Sequence, residues 1–504
     1  MKLILRERRS FLFEDLLLAL AAALIVLIFF APRFVVWRGL GIPDLLGFPE
    51  LNRAADALRQ LKDPLAPIAN PSNRVLEWRL LFPSLGSALR LPGWLYLALP
   101  SVGCLAALAL VGGRLRVAGW RRDEALAVLL LVGSGPWFFV STGWLAYFDS
   151  WLVLALLVVV FGSSRWTLAA AVALAPWIDE RFLFVLPACL VVRAWCRARW
   201  ALPVLGAVRP WSDWKTAAVA LAPFLAVRLG AAVFGAGGDG AVWRELLAGR
   251  SAEFPWGGAL AGVWEGLRFG WLALAVFAVR AARSSPGNRH HAGLLALAVV
   301  AALGVMLRLA ADFSRSAGVL MPLLPAVLML GWWRPDGIRR GFVWCLAGLN
   351  LLLPAHHVVN AERVAVRSLW HEWTAWRSPP ELLRADRHNV RATELLLAGR
   401  PEEALVPLRQ ALQLEADFLP AVFNLSRALC QLGRGPEALA AAERALVLDP
   451  RHPRAWYLRA EARRLTGDPR GARADLDRAE SLAPPGDPLR AQIDSLRAGL
   501  RRGL

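Results

Sequence analysis

The residues able to do chemistry in this chain are carboxylates and guanidiniums set between long apolar runs. Asp44 and Glu50 follow the first run. Asp149, Asp179, Glu180 and Asp312 sit in short turns between later ones, in the segments LAYFDSW, WIDERF and ADFSRS. Arg181 and Arg315 share two of these turns, and Arg228, Arg268 and Arg308 lie within apolar runs. A carboxylate so placed can take a proton from a hydroxyl or an amine. A guanidinium fork binds phosphate through paired hydrogen bonds. Taken singly, an acid in a turn is solvated, and an arginine near a helix end reaches out to the headgroups. The collective pattern carries the argument, because ionisable groups at membrane depth are costly to keep there.

The elements that must position these groups follow from composition. The chain has 504 residues, of which 57% are hydrophobic and 19% charged, with a mean hydropathy of +0.44. A soluble chain carries about a quarter charged residues. The apolar residues come in runs, which excludes an ordinary soluble enzyme, a disordered chain and a disulfide-rich module. The net charge of +19 is almost all arginine, the lysines being Lys2, Lys62 and Lys215. Much of it lies in short loops between runs, where it sets topology, so nucleic acid is not the expected partner. The five cysteines, Cys104, Cys189, Cys196, Cys345 and Cys430, form no CxxC and imply neither a disulfide framework nor a zinc site.

A spanning helix needs about 20 mostly apolar residues. The first run, Leu16 to about Val36, follows Lys2, Arg6, Arg8 and Arg9 without a small-residue cleavage site and is read as an uncleaved first helix. Further runs near 93–112, 125–141, 151–162, 167–177, 182–195, 215–235, 263–280, 293–310, 316–333 and 341–355 predict about 11 spans. The segment 167–195 could be one helix with Asp179, Glu180 and Arg181 at its middle, or two with those charges at the turn. Three ionisable groups in mid-bilayer would cost about 2.5–3.5 kcal/mol each. With a turn there, the loops on one side carry 20 Lys/Arg and the short loops on the other carry 4. Positive charge stays inside, so two helices are expected, with the N-terminus inside and the C-terminal tail outside a bacterial cytoplasmic membrane. Tryptophans flank many runs, as interface anchors do: Trp94, Trp120, Trp151, Trp166, Trp177, Trp195, Trp214, Trp332 and Trp333.

A polytopic core with a long first outer loop (37–92), an acid shortly after the first helix and charged outer turns resembles the GT-C glycosyltransferases, which include protein O-mannosyltransferases and the bacterial lipid A aminoarabinose transferase. The resemblance covers roughly residues 10–355. It implies transfer of a sugar from a polyprenyl-phosphate carrier with inversion, a first-loop acid acting as base. In PELNRAADAL, Glu50 stands in that acid's place and Arg53 follows; Asp44 is the second choice. The family's paired Asp-Glu and its Arg-Tyr are missing. Arg181, Arg228, Arg268, Arg308 and Arg315 are then candidates for the donor phosphate. Asp149, Asp179, Glu180 and Asp312 are candidates for the acceptor or a divalent metal.

Beyond residue 356 the chain changes character. A stretch rich in Trp and His (357–384) is expected to link to a repeat of period 34: Gly399, Gly433 and Gly467; Ala404, Ala438 and Ala472; Ala411, Ala445 and Ala479. This resembles the tetratricopeptide repeat, in units 385–418, 419–452 and 453–486, closed by a capping helix within 487–504. Such a stack offers a groove to a protein or peptide. Three other motifs carry nothing. The glycines Gly235, Gly237 and Gly240 match GxGxxG without a preceding strand, His371 and Glu372 lack the second histidine of HExxH, and His290–His291 and His356–His357 lack further ligands at metal spacing. The expected fold is therefore all-α: a short N-terminus (1–14), a polytopic membrane domain (15–356) and an α-solenoid. The expected function is membrane glycosyl transfer, with the repeats recruiting a protein. A membrane-anchored scaffold is the alternative, and a transporter or flippase a third.

Overall fold

The computed structural model describes residues 2–39, 49–68, 76–200, 210–234, 256–283, 286–309, 312–331, 337–359, 362–377, 380–483 and 488–501. The chain divides into two compact units, one of Met1–Val35 with Arg53–Trp373, the other of Val36–Asn52 with Thr374–Leu504. Asp44 and the glycine-rich turn 235–240 lie outside the described residues.

The first unit is built of helices. Among the described residues three are long and apolar enough to cross a membrane: Gly93–Val117, Gly287–Arg308 and Phe313–Gly331. Two bent pairs raise this to as many as five if each pair is one span. Runs expected to be single helices are broken there for local reasons. Arg122–Gly133 and Pro136–Gly143 meet at 67°, because Pro136 cannot continue the hydrogen-bond ladder of the preceding turn. Trp256–Leu267 and Gly270–Ala282 meet at 78°, where Arg268 takes a left-handed φ of 50°. The 167–195 segment leaves regular α-helix between Leu174 and Phe182, so Asp179, Glu180 and Arg181 fall in a turn.

The surface of this unit is inverted relative to that of a water-soluble protein. Leu16, Leu20, Leu24, Ile28, Val219, Leu297 and Val300 are exposed, while Arg193, Arg268 and Arg339 are almost wholly buried. Apolar faces of this extent mark contact with lipid or another apolar partner. Small residues let helices approach closely. Gly262 and Gly266, four apart on Trp256–Leu267, lie against Phe313 and Ala317; a Cβ on either would come within 2.2 and 2.5 Å of those side chains.

Charged side chains gather at two ends. Ser150 Oγ donates to the Pro100 carbonyl (2.6 Å) near the start of Gly93–Val117. Near that helix's other end Arg116 pairs with Asp15, about 25 Å further along at 1.5 Å per residue. At this second end Arg122 pairs with Glu14 (2.9 Å), Arg340 with Asp123 (2.8 Å) and Arg339 with the buried Glu124. Arg193 joins Asp213 (3.1 Å) to the Gly162 carbonyl (2.7 Å) just past the helix Asp149–Phe161. The loops expected to be basic thus tie to one another, away from the acidic turns. The stretch expected as a linker holds an antiparallel hairpin, His356–Val359 with Glu362–Ala365, and the helix Leu369–Trp376.

The second unit stacks helix pairs: Pro380–Leu397 with Pro401–Leu414, Leu419–Gln431 with Gly435–Leu448, and Pro453–Leu465 with Pro469–Leu482. The repeated alanines explain the stacking. Ala404, Ala438, Ala472, Ala411, Ala445 and Ala479 are fully buried where helices cross. The repeated glycines explain the turns. Gly399, Gly433 and Gly467 have φ of 70°, 71° and 80°, and each follows the end of a first helix in a 6→1 and 5→2 hydrogen-bond pair, as in Arg434 N to Leu429 O (2.9 Å) and Gly433 N to Cys430 O (3.0 Å). The last helix, Pro488–Arg501, lays Leu489, Ile493 and Leu500 over Leu476 and Ala479.

Candidate functional site

Four of the six acids singled out by their sequence setting meet in one buried cluster of the first unit. Asp149 opens the helix Asp149–Phe161, where the helix dipole favours a negative charge. It accepts from Arg181 (2.5 Å) and from Arg315 (2.8 Å). Asp179 holds the same Arg181 with both carboxylate oxygens (2.8 and 2.7 Å) and caps its backbone N–H (3.0 Å). Asp312 caps the short helix Phe313–Gly318 through the Arg315 N–H (3.1 Å) and pairs with the Arg315 guanidinium (3.2 Å). The two arginines therefore bridge three turns that are 30 to 166 residues apart in sequence.

The first outer loop supplies two more cations. Arg79 pairs with Asp179 (2.9 Å) and approaches Glu180 (3.6 Å). Arg53, on the amphipathic helix Pro49–Lys62, donates to the Ala146 carbonyl (3.2 Å). Ala146 is itself left-handed, φ 60°, at a cost of about 1–2 kcal/mol. The Tyr147 ring lies between the guanidiniums of Arg53 (4.0 Å) and Arg315 (4.2 Å), a cation–π contact on each. Four acids and four guanidiniums make the cluster neutral before histidine is counted, which is how buried charges are kept.

Electrostatics follows the pairing. Burial opposes the charge of Asp179, and the guanidiniums of Arg181 and Arg79 overcome it, holding the carboxyl well below the ordinary carboxylate range. Burial brings Arg53 down to about 10, so it stays charged at neutral pH. Beside the cluster a cavity of about 20 Å³ is lined by Arg53, Gln60, Arg79, Tyr96, Phe148 and Asp179, a volume with room for about one water.

Other predicted residues lie elsewhere. Arg268 is not at the cluster. Its guanidinium donates to the carbonyls of Asn350, Leu353 (2.6 Å) and Pro354 (3.1 Å), the groups left open at the end of the helix Gly337–Leu352. Arg228 is half-buried with its guanidinium over Trp78 (4.1 Å), next in sequence to Arg79. Arg308 is exposed on Pro286–Leu309. Glu50 lies in the first turn of Pro49–Lys62, one turn before Arg53, and its side chain is outside the described residues.

Besides Arg79, two further cluster residues escape the sequence reading. His357, considered there only as half of a metal-ligating pair, sits on the hairpin with Nε2 3.3 Å from Asp312 and Nδ1 3.1 Å from Ser314 Oγ. Ser314 Oγ also accepts from the Val358 N–H (3.0 Å). Nothing local marks His357, which joins the cluster through the hairpin's packing, whereas Ser314 lies between Asp312 and Arg315 in a turn already singled out. A divalent metal does not suit this donor set. The acids are committed to guanidiniums, and among the described residues no three His, Cys, Asp or Glu side chains gather to hold an ion.

Residues 395–462 match the family model for the tetratricopeptide repeat, from the end of the first helix of the first pair into the first helix of the third. No curated protein matches the chain. The tail is thus a protein-interaction repeat, joined to a mostly helical part carrying apolar helices of spanning length.

Proposed function

We propose that the protein is a membrane glycosyltransferase of the GT-C kind, moving a sugar from a polyprenyl-phosphate donor to an acceptor outside the bacterial cytoplasmic membrane. The repeat unit recruits a protein partner. The observation that carries the reading is the convergence of Asp149, Asp179, Glu180 and Asp312 with Arg53, Arg79, Arg181 and Arg315 at one end of the helical unit. About 11 spans, the N-terminus inside and the tail outside belong to this reading. The separation of the basic loops from the acidic turns supports its sidedness.

In this reading Glu50, or Asp44, takes the proton of the acceptor hydroxyl or amine. The acceptor oxygen or nitrogen bonds to the anomeric carbon as the bond from that carbon to the phosphate oxygen breaks, inverting the centre. The electron pair leaves with the polyprenyl phosphate, whose added charge needs guanidiniums nearby. Arg53 and Arg79 border the cavity and are the nearest of the cluster's cations to it. Arg181 and Arg315 are already saturated by carboxylates and hold the turns in place.

The test is Glu50→Gln and Asp44→Asn, scored by mass spectrometry of lipid-linked sugars and glycans against the parent and a deletion strain. Loss of the product in either variant supports the reading; full activity in both removes it. A reporter fused at Leu504 that proves cytosolic would also refute it. The charge neutrality of the cluster and its one-water cavity favour a second reading, a membrane-anchored scaffold whose work is done by the repeats. Under that reading the deletion strain keeps its glycans and loses an assembly that the isolated membrane unit cannot restore.

A further inference from the structure

The first helices of the three repeats pack on one another as well as on their second helices, so they form the inner, shorter layer that lines the concave side. Asn424 ties two of them together, donating to Asn389 Oδ1 (2.7 Å) and Thr393 Oγ1 (3.0 Å). Arg427 follows three residues later on the same face. In the next repeat Arg454, Tyr457, Glu461 and Arg464 succeed one another at spacings of 3, 4 and 3, which is again one helix face. The period places Glu461 where the preceding repeat has Arg427.

Several arginines of the unit close pairs, as Arg434 does with Glu437 and Arg459 with Asp475. Among the described residues Arg427, Arg454 and Arg464 make no ion pair and no side-chain hydrogen bond, and Arg464 Nε is buried without a partner. Glu461 lies within electrostatic reach of Arg464 and Arg427 and offsets one of the three positive charges, so the face keeps a net positive charge. Beside Arg454 lies a hollow of about 420 Å³, lined by Pro420, Phe423, Asn424, His452, Pro453 and Leu489. Its wall carries the paired rings of Phe423 and His452, 4.6 Å apart.

We propose that this inner face binds an extended acidic segment of a protein partner, with one apolar side chain in the hollow beside Phe423 and carboxylates on Arg427, Arg454 and Arg464. Charge complementarity selects this occupant, and the hollow selects the neighbouring apolar residue. Arg454 and Arg464 are ten residues apart, about 15 Å along the helix, a distance spanned by four or five extended residues. The inference rests on the partner-recruiting part of the proposed function and names the chemistry of that partner.

The experiment uses the full chain in detergent and fluorescein-labelled peptides of Leu, Gly and Glu with two glutamates five apart, read by anisotropy. The expected result is saturable binding that a Gln-for-Glu peptide lacks, and that Arg427→Gln with Arg464→Gln weakens at least tenfold while Arg409→Gln, at an exposed position of the second helix Pro401–Leu414, leaves it unchanged. Equal binding of both peptides, or a double variant that binds like the parent, overturns the proposal. So does a double variant whose loss is of phosphatidylglycerol vesicles and not of peptide. A photo-crosslinker at Phe423 in cells separates the two levels. Adducts that persist at full yield in the double variant leave a recruited partner but refute the acidic class; no adduct at all removes the recruiting reading with it.

Discussion

Replacing Asp149 by asparagine tests whether the buried cluster holds the first helical unit together. The carboxylate is 3% exposed and is shared by two guanidiniums, at 2.5 Å from Arg181 and 2.8 Å from Arg315. At such distances each attraction is about 6 kcal/mol in gross terms at an effective dielectric near 20, offset by desolvation and by the repulsion between the two arginines. Removing one partner of a buried pair costs about 3–5 kcal/mol net. Here the arginines are not orphaned, since Arg181 keeps both oxygens of Asp179 and Arg315 keeps Asp312. The expected loss for Asp149→Asn is therefore at the low end, about 3 kcal/mol. It would be read from reversible unfolding in mixed detergent micelles followed by tryptophan fluorescence. Arg315→Gln made alone and with Asp149→Asn completes a double-mutant cycle, in which the pair is expected to couple by more than about 1 kcal/mol. A parent-like midpoint for Asp149→Asn, or strict additivity in the cycle, would refute the claim that these charges act as one unit.

Further expectations are smaller in scope. Gly262→Ala forces a Cβ onto Phe313, where neither side chain can retreat, and is expected to cost about 1–3 kcal/mol; Gly348→Ala, with open space around it, serves as the control that gains about 1 kcal/mol from helix propensity. Gly433→Ala meets no steric neighbour but must hold φ at 71°. It should lower the stability of the repeat unit by about 1–2 kcal/mol, measured by the midpoint of urea unfolding on far-UV circular dichroism. Glu461 lies above its ordinary value of 4.5 because burial disfavours its charge. Its charged form thus weighs against the fold above the folded value, and the penalty fades as pH falls to about 4.5. Glu461→Gln is accordingly expected to melt higher than the parent at pH 7, with the gap closing at acid pH; a gap independent of pH would remove the burial argument.

Features whose cause is local were legible in the sequence by itself. Apolar runs announce helices because each needs only its own residues to satisfy its backbone. The 34-residue spacing of Gly399, Gly433 and Gly467 announces the repeat because every unit must end its first helix by the same left-handed turn. The charges at 179–181 fell at a helix break for an equally local reason, the cost of ionisable groups within an apolar run. What the tertiary structure alone decided is which charges meet. Arg268 and Arg315 look alike as arginines beside apolar runs, yet one caps carbonyls near residue 350 and the other closes on Asp149 from 166 residues away. His357 and Arg79 gave no sign of belonging to the same cluster. Coulombic partnership depends on distance in space, and for buried groups that distance is set by how helices pack, as at Gly262 and Gly266, over separations to which no periodicity along the chain is sensitive.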